Sequence, residues 1–273
     1  MKPLLYFWLS EATIATAATT AATYFFTPSM LPSGRGVVQF DIRLTGTDLT
    51  PANITRVRVK AGSTVIIDAD CEDTIQAWLQ RITNGTFDLA DADTAFSLPF
   101  YDPRNPDTLQ KYTGQFPYFL GAPQIEITLN ATPGAGTLGV SAVIVDANRI
   151  PMTHYHSFIS SRLEVAASST NARQTVNLPA GAQVKGIVIN TTGLDRLQLT
   201  LDNDIQGLWT GVSMLVSNRN YNSDVLANPT CCIIEASGPA GISGNEWLLS
   251  TAAGWAGVAN EGGIWAVHPV QAA

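Results

Sequence analysis

Leu31-Pro32-Ser33-Gly34-Arg35-Gly36-Val37-Val38-Gln39-Phe40-Asp41-Ile42-Arg43-Leu44-Thr45-Gly46 is written a second time, in altered form, from Leu178 to Gly193. Across this window the copies share Leu, Pro, Gly, Val, Ile, Thr and Gly at matching places, with no gap. Each opens on Leu-Pro-x-Gly, runs into an apolar segment (Val37 to Leu44, Val184 to Ile189) and turns at Thr-Gly. A chain of 273 residues is long for one core and comfortable for two. The repeat therefore predicts two domains of one kind in tandem.

Working outward, the first copy continues into Ile54, Val57 and Val59, a turn at Ala61-Gly62, then Val65, Ile66 and Ile67. The alternation Arg56-Val57-Arg58-Val59-Lys60 puts the valines inward and the basic residues outward on a strand. Ile75, Trp78, Leu79 and Ile82 then follow helical spacing. Asp70 suits an N-cap, Glu72 and Asp73 suit the positive helix start, and Asn84-Gly85 suits its end. The second copy continues through Leu194, Leu197, Leu199 and Leu201 to a turn at Asp202-Asn203. There Ile205, Leu208, Trp209 and Val212 take up the same helical spacing. The expectation is one short helix in each half.

Residues 1–30 begin with Lys2 and a short apolar run, Leu4 to Leu9, broken by Glu11 and followed by an Ala/Thr-rich stretch. The run is too short for a membrane span, which needs about 20 apolar residues. The segment reads as an apolar N-terminal arm that docks on a neighbouring copy or a lipid surface, or as a helix packed on its own domain. Residues 86–123 carry Pro99, Pro103, Pro106, Pro117 and Pro123 among dense aromatics. Proline is excluded from central strands, so this is a long connection with one or two short strands, its rings forming a contact surface or packing on the core. Gln124 to Leu129 and Thr137 to Asp146 make a hairpin about Pro133-Gly134-Ala135-Gly136. Residues 147–177 join the halves, with a boundary at 165–172 where the chain is Ser/Ala/Thr-rich. Strands are expected at 183–191, 194–201, 230–236, 245–251 and 262–268. The division is an arm at 1–30, a first domain at 31–168 and a second at 169–273.

Net charge is −7, with no Lys/Arg cluster to offset it. Phosphate neutralisation dominates nucleic-acid affinity, so direct binding of nucleic acid is not expected. Charged residues are only 14% of the chain against about 25% for soluble proteins, as fits a surface covered by neighbours. The three cysteines cannot all pair, and Cys231 and Cys232 are adjacent, which points to reduced thiols.

Little in the chain points to chemistry. There is no Gly-x-Ser-x-Gly, no P-loop and no Gly-x-Gly-x-x-Gly opening a helix, and no enzyme is expected. His154 and His156 share one face of a strand, and His268 is the remaining histidine; a satisfied pair is the reading, not a metal site. Asp88, Asp91 and Asp93 are weak calcium candidates, as are Asp68, Asp70, Glu72 and Asp73, but neither set fits an EF-hand loop. No cofactor is expected. Four Asn-x-Thr acceptor patterns, at Asn53, Asn84, Asn130 and Asn190, are of the kind a Thr-rich chain produces by chance.

Many short strands between Gly/Pro turns argue an all-β chain of two tandem sandwiches, for which jelly rolls fit well. Leu-Pro-x-Gly, the strand after it, the turn at Gly46 or Gly193, the Ile54-x-x-Val57-x-Val59 hairpin and the helix together resemble the double jelly-roll major capsid proteins of tailless icosahedral bacterial viruses, of the corticovirus and finnlakevirus types. That resemblance implies a homotrimer whose six jelly rolls make a pseudo-hexameric capsomer, self-assembling with its neighbours and minor capsid proteins into an icosahedral shell over an internal membrane. It also implies assembly in the host cytoplasm, localisation in the virion, and an N-terminal arm at the inner, lipid-facing end. Members bind calcium at subunit contacts, though no ligand motif carries over. Two other readings stay open. One is a carbohydrate-binding or adhesin-like pair of sandwiches with Trp247, Trp255 and Trp265 as sugar platforms. The other is a polysaccharide-active enzyme working through paired carboxylates.

Overall fold

In the computed structural model the residues described are 5–14, 22–27, 34–46, 53–69, 95–130, 136–163, 170–179, 181–190, 195–201, 204–210, 231–235, 246–250 and 260–270. They are nearly all strand and form two compact units, divided between Ser157 and Phe158, with His268 onward returning to the first unit. The expected boundary was at 165–172.

The first unit holds β1 (Leu5–Ile14), β2 (Ala22–Phe26), β3 (Arg35–Gly46), β4 (Ile54–Ala61), β5 (Thr64–Ala69), β6 (Ala95–Pro99), β7 (Pro123–Leu129) and β8 (Gly136–Asp146). One sheet runs β1-β8-β3-β6, and the facing set runs β2-β7-β4-β5. Neighbouring strands in both pair antiparallel. Period-2 alternation supplies the core. On β3, Phe40, Ile42 and Leu44 are buried and stand opposite Ala142, Val140 and Leu138 of β8. On β4, Val57 and Val59 are buried opposite Ile127 and Ile125 of β7. Full burial of such aliphatic and aromatic side chains contributes about 1.5–3 kcal/mol each.

The second unit is built from β9 (His154–Leu163), β10 (Asn171–Thr175), β11 (Gln183–Asn190), β12 (Arg196–Leu201), β13 (Asp204–Thr210), β14 (Cys231–Glu235), β15 (Glu246–Ser250) and β16 (Asn260–Pro269), although β9 starts and β16 ends in the first unit. Its strand orders are β9-β16-β11-β14 and β10-β15-β12-β13. Counting eight strands on from each member of the first unit reproduces both orders. Each unit is therefore the same eight-strand jelly roll, and the repeated sequence falls on β3 and β11, equivalent strands. The second core centres on Trp247 and Leu249 of β15, opposite Leu199 and Leu197 of β12, with Ile187 of β11 paired to Ile264 of β16.

Two expectations need correcting. The N-terminal segment is not an arm: β1 lies along β8 and β2 along β7, with Phe26 buried, so both are strands of the first jelly roll. The polar-apolar pattern hid them because the β1–β8 register shifts between Trp8 and Ser10, which breaks simple alternation. The helix expected from Ile205, Leu208 and Trp209 is instead strand β13, paired to β12. Its spacing imitates a helical face because the β12–β13 ladder also shifts, between Leu199 and Thr200. β13 is the counterpart of β5, not of the segment 75–82, which lies outside the described residues.

Candidate functional site

The elaborated part of the first unit is residues 100–122, between β6 and β7, which carry a single-turn helix α1 (Thr108–Lys111) and a 3-10 turn (Tyr118–Leu120). The segment is tied down along its length. Phe100 N–H donates to Val38 O at 2.9 Å and Phe116 N–H to Val37 O at 2.7 Å, so it runs beside β3. Phe100 and Phe116 are fully buried and meet Phe40 and each other edge-on at 5.4–5.7 Å between centroids. Such pairs add about 0.5–1.5 kcal/mol to their burial. Tyr101 and Tyr112, also edge-on at 5.4 Å, cluster with Val38, Val143, Val145 and Ile150. The aromatics of this proline-rich stretch therefore pack on their own core. Phe119 is the exception, 62% exposed.

A seam joins this segment to residues 153–157. Thr153 N–H donates to Thr113 O (3.0 Å), Gln115 N–H to His154 O (3.1 Å) and His156 N–H to Phe100 O (3.1 Å), while the Thr113 and Thr153 hydroxyls meet at 2.8 Å. Gly114 pairs with His154 as an isolated bridge. A Cβ on Gly114 would lie 2.9 Å from His154 Nε2 and 2.7 Å from Phe100 O, so only glycine lets the strands come this close. The Gln115 side chain, buried, donates to Ile150 O (2.7 Å) and Tyr112 O (3.1 Å).

All three histidines of the chain sit here. The rings of His154 and His156 lie 5.3 Å apart on one face of β9. On the other, His268 stacks flat on Tyr155 at 4.5 Å, its Nε2 2.8 Å from Ser157 Oγ. The structure thus brings the histidines to one locality without making them co-ligands, and among the described residues no three His, Cys, Asp or Glu side chains gather to hold a metal ion. Burial pushes His268 below its ordinary pKa. Asp102 is opposed by burial, but hydrogen bonds and charge from Arg104 outweigh it and hold the carboxyl below its usual range, with a smaller contribution from His156.

Other polar groups have structural duties. Arg56, Arg58 and Lys60 do point outward from β4, and there they pair with Asp68 of β5 and Glu126 of β7: Arg56 Nε–Asp68 Oδ1 is 2.9 Å, Arg58–Asp68 Oδ2 2.8 Å, and Lys60 meets Glu126. Asp68 is thus an ion-pair partner in β5. Asp41 accepts from Gln39 Nε2 (2.7 Å) and the Ser97 hydroxyl (2.6 Å), and burial raises its pKa despite them. The Tyr118 hydroxyl is buried with no hydrogen-bond partner among the described residues, and burial raises its pKa far above the usual range. Asp88, Asp91 and Asp93, like Asp70, Glu72 and Asp73, lie outside the described residues.

The tryptophans argue against sugar platforms. Trp247 is 0% exposed and Trp265 is 3% exposed, so neither presents a ring face to a glycan; Trp255 lies outside the described residues. What sequence reading missed is the Thr113–Gln115 seam, whose bonds are mostly between backbone groups. It also missed the exposed apolar side chains of β13, Ile205 at 60% and Leu208 at 48%, at the edge of their sheet.

No family model matches the sequence, and no curated protein sequence matches it. Solved structures do. The major capsid protein P2 of bacteriophage PM2 aligns over 98% of this chain and 98% of its own, at 14% identity and TM-score 0.68. The STIV MCP aligns over 97% and 96%, at 12% identity and TM-score 0.67. A chain from the atomic structure of Sulfolobus Turreted Icosahedral Virus aligns over 97% and 90%, at 10% identity and TM-score 0.69. The chain has the double jelly-roll fold. At these identities the likeness carries the architecture along nearly the whole of each chain, and leaves individual residue roles to the geometry described above.

Proposed function

We propose that this chain is a structural major capsid protein: a non-catalytic brick that self-associates as a homotrimer and tiles an icosahedral shell. The observation that carries the reading is the same eight-strand order in both units, combined with a likeness to viral coat proteins that runs nearly end to end in both partners of each alignment. Duplication has a physical use in such a shell. A hexagonal tile needs six sandwiches, and two fused, divergent ones fill it with three chains, each side contact being tuned separately. The low charge content and the apolar side chains left open on edge strands, Phe25 on β2 and Ile205 and Leu208 on β13, suit broad side contacts between copies.

The proposal extends to neighbouring capsomers and minor capsid proteins as partners, to assembly in the host cytoplasm, and to an internal membrane beneath the shell. Light scattering on the purified chain tests the trimer. Three copies of 29.1 kDa give about 87 kDa, and a single 29.1 kDa species at every concentration overturns it.

A further inference from the structure

We infer that the junction of residues 112–116 with residues 153–157 is an acid-sensitive latch, closed while His154, His156 and His268 are neutral and opened by their protonation. This does not depend on the capsid reading.

The geometry supplies three reasons. The seam rests on few bonds, chiefly the backbone pairs Thr153–Thr113, Gln115–His154 and His156–Phe100 and the Thr113–Thr153 hydroxyl contact. Two of the imidazoles, His154 and His156, lie on the strand that makes those bonds, so a change in their charge acts directly on them. The rings are also badly placed to ionise together. His156 is 4% exposed, and its neighbour His154 is 5.3 Å away between ring centroids. Two imidazoliums at that spacing repel in a medium that screens poorly.

The carboxylate facing the pair, Asp102, attracts a charged His156 and relieves this only in part. Arg104 holds both its oxygens, Nε to Oδ1 at 2.9 Å and Nη2 to Oδ2 at 2.8 Å. Lys111, over the Tyr101 and Tyr112 rings at 5.9 and 5.1 Å, is a further cation beside the seam. Charging both histidines therefore adds two positive charges beside Lys111, with Asp102 already engaged by Arg104. On the opposite face His268 is sandwiched against Tyr155, and its ring nitrogen is engaged by Ser157. Burial depresses its pKa, so its contribution to stability is present above about pH 6.5 and is lost as the pH falls through the folded value. The ordinary histidine range puts the transition between about pH 5 and 7.

Hydrogen exchange of the intact protein at pH 7.5 and 5.5, corrected for intrinsic rates, tests the latch. Protection at the amides of Thr153, Gln115 and His156 is expected to fall at least about tenfold, while the amides that pair β3 with β8 keep theirs. In His154→Gln, which removes the like-charge neighbour from a half-buried position, the acid loss is expected to shrink. Wild-type protection at the seam that is the same at both pH values overturns the inference, with or without the variant. So does an undiminished acid loss in His154→Gln.

Discussion

Trp247→Ala separates the two readings of the tryptophans most sharply. Trp247 is fully buried on β15, opposite Leu199 of β12 and Gln174 of β10, within the cluster of Val184, Ile187, Leu197 and Leu249. An indole of this kind buries about 150–250 Å², worth about 4–6 kcal/mol at 25 cal/mol per Å². Measured Trp- and Phe-to-Ala losses in cores run to about 3–5 kcal/mol. The two scales overlap near 4 kcal/mol, a large share of the roughly 5–15 kcal/mol that holds a domain folded. Urea unfolding followed by circular dichroism is expected to show that loss confined to one transition, with a smaller loss for Trp247→Phe. Were Trp247 a sugar platform, the substitution would leave stability nearly unchanged and remove glycan binding. A shift in unfolding free energy below about 1 kcal/mol would refute the core assignment.

Three further outcomes follow from single contacts. Gly62 has φ +59° at the β4–β5 turn, and a Cβ there would meet Leu120 O at 2.7 Å, so Gly62→Ala is expected to cost at least about 1–2 kcal/mol by urea unfolding. Tyr118→Phe removes a buried hydroxyl that has no partner among the described residues, and is expected to be neutral or to stabilise by up to about 1–3 kcal/mol in the same assay. Asp41 has a raised folded pKa, so its stabilising contribution is present below its unfolded value and lost as pH rises. Asp41→Asn keeps an Oδ1 acceptor for both Gln39 and Ser97 and is expected to match or exceed wild-type melting at pH 7, the advantage vanishing toward pH 4.

The central strands were legible in the sequence because each has one buried face. Arg56-Val57-Arg58-Val59-Lys60 alternates as β4 does in the fold, and the intervals expected in the second half fall within about two residues of β11, β12, β14, β15 and β16. The repeat placed β3 against β11 correctly because both occupy the same sheet position. What failed has common physical causes. β1 and β13 take part in ladders with register shifts, so their apolar residues leave period 2, and on β13 they mimic a helix face. β10 (Asn-Ala-Arg-Gln-Thr) and the Ser-Ser-Arg-Leu end of β9 are mostly polar and read as linker when pairing partners are unknown. The seam was beyond sequence reading because its bonds are mostly backbone-to-backbone between segments about 40 residues apart, and backbone groups leave no trace in side-chain identity.

Electron microscopy of the purified chain tests the central claim most directly. The account predicts tiles with six sandwich-sized lobes, three chains to each, alone or joined in hexagonal sheets and closed shells. Fields of isolated single chains that never associate, under conditions where the protein is folded, would contradict it.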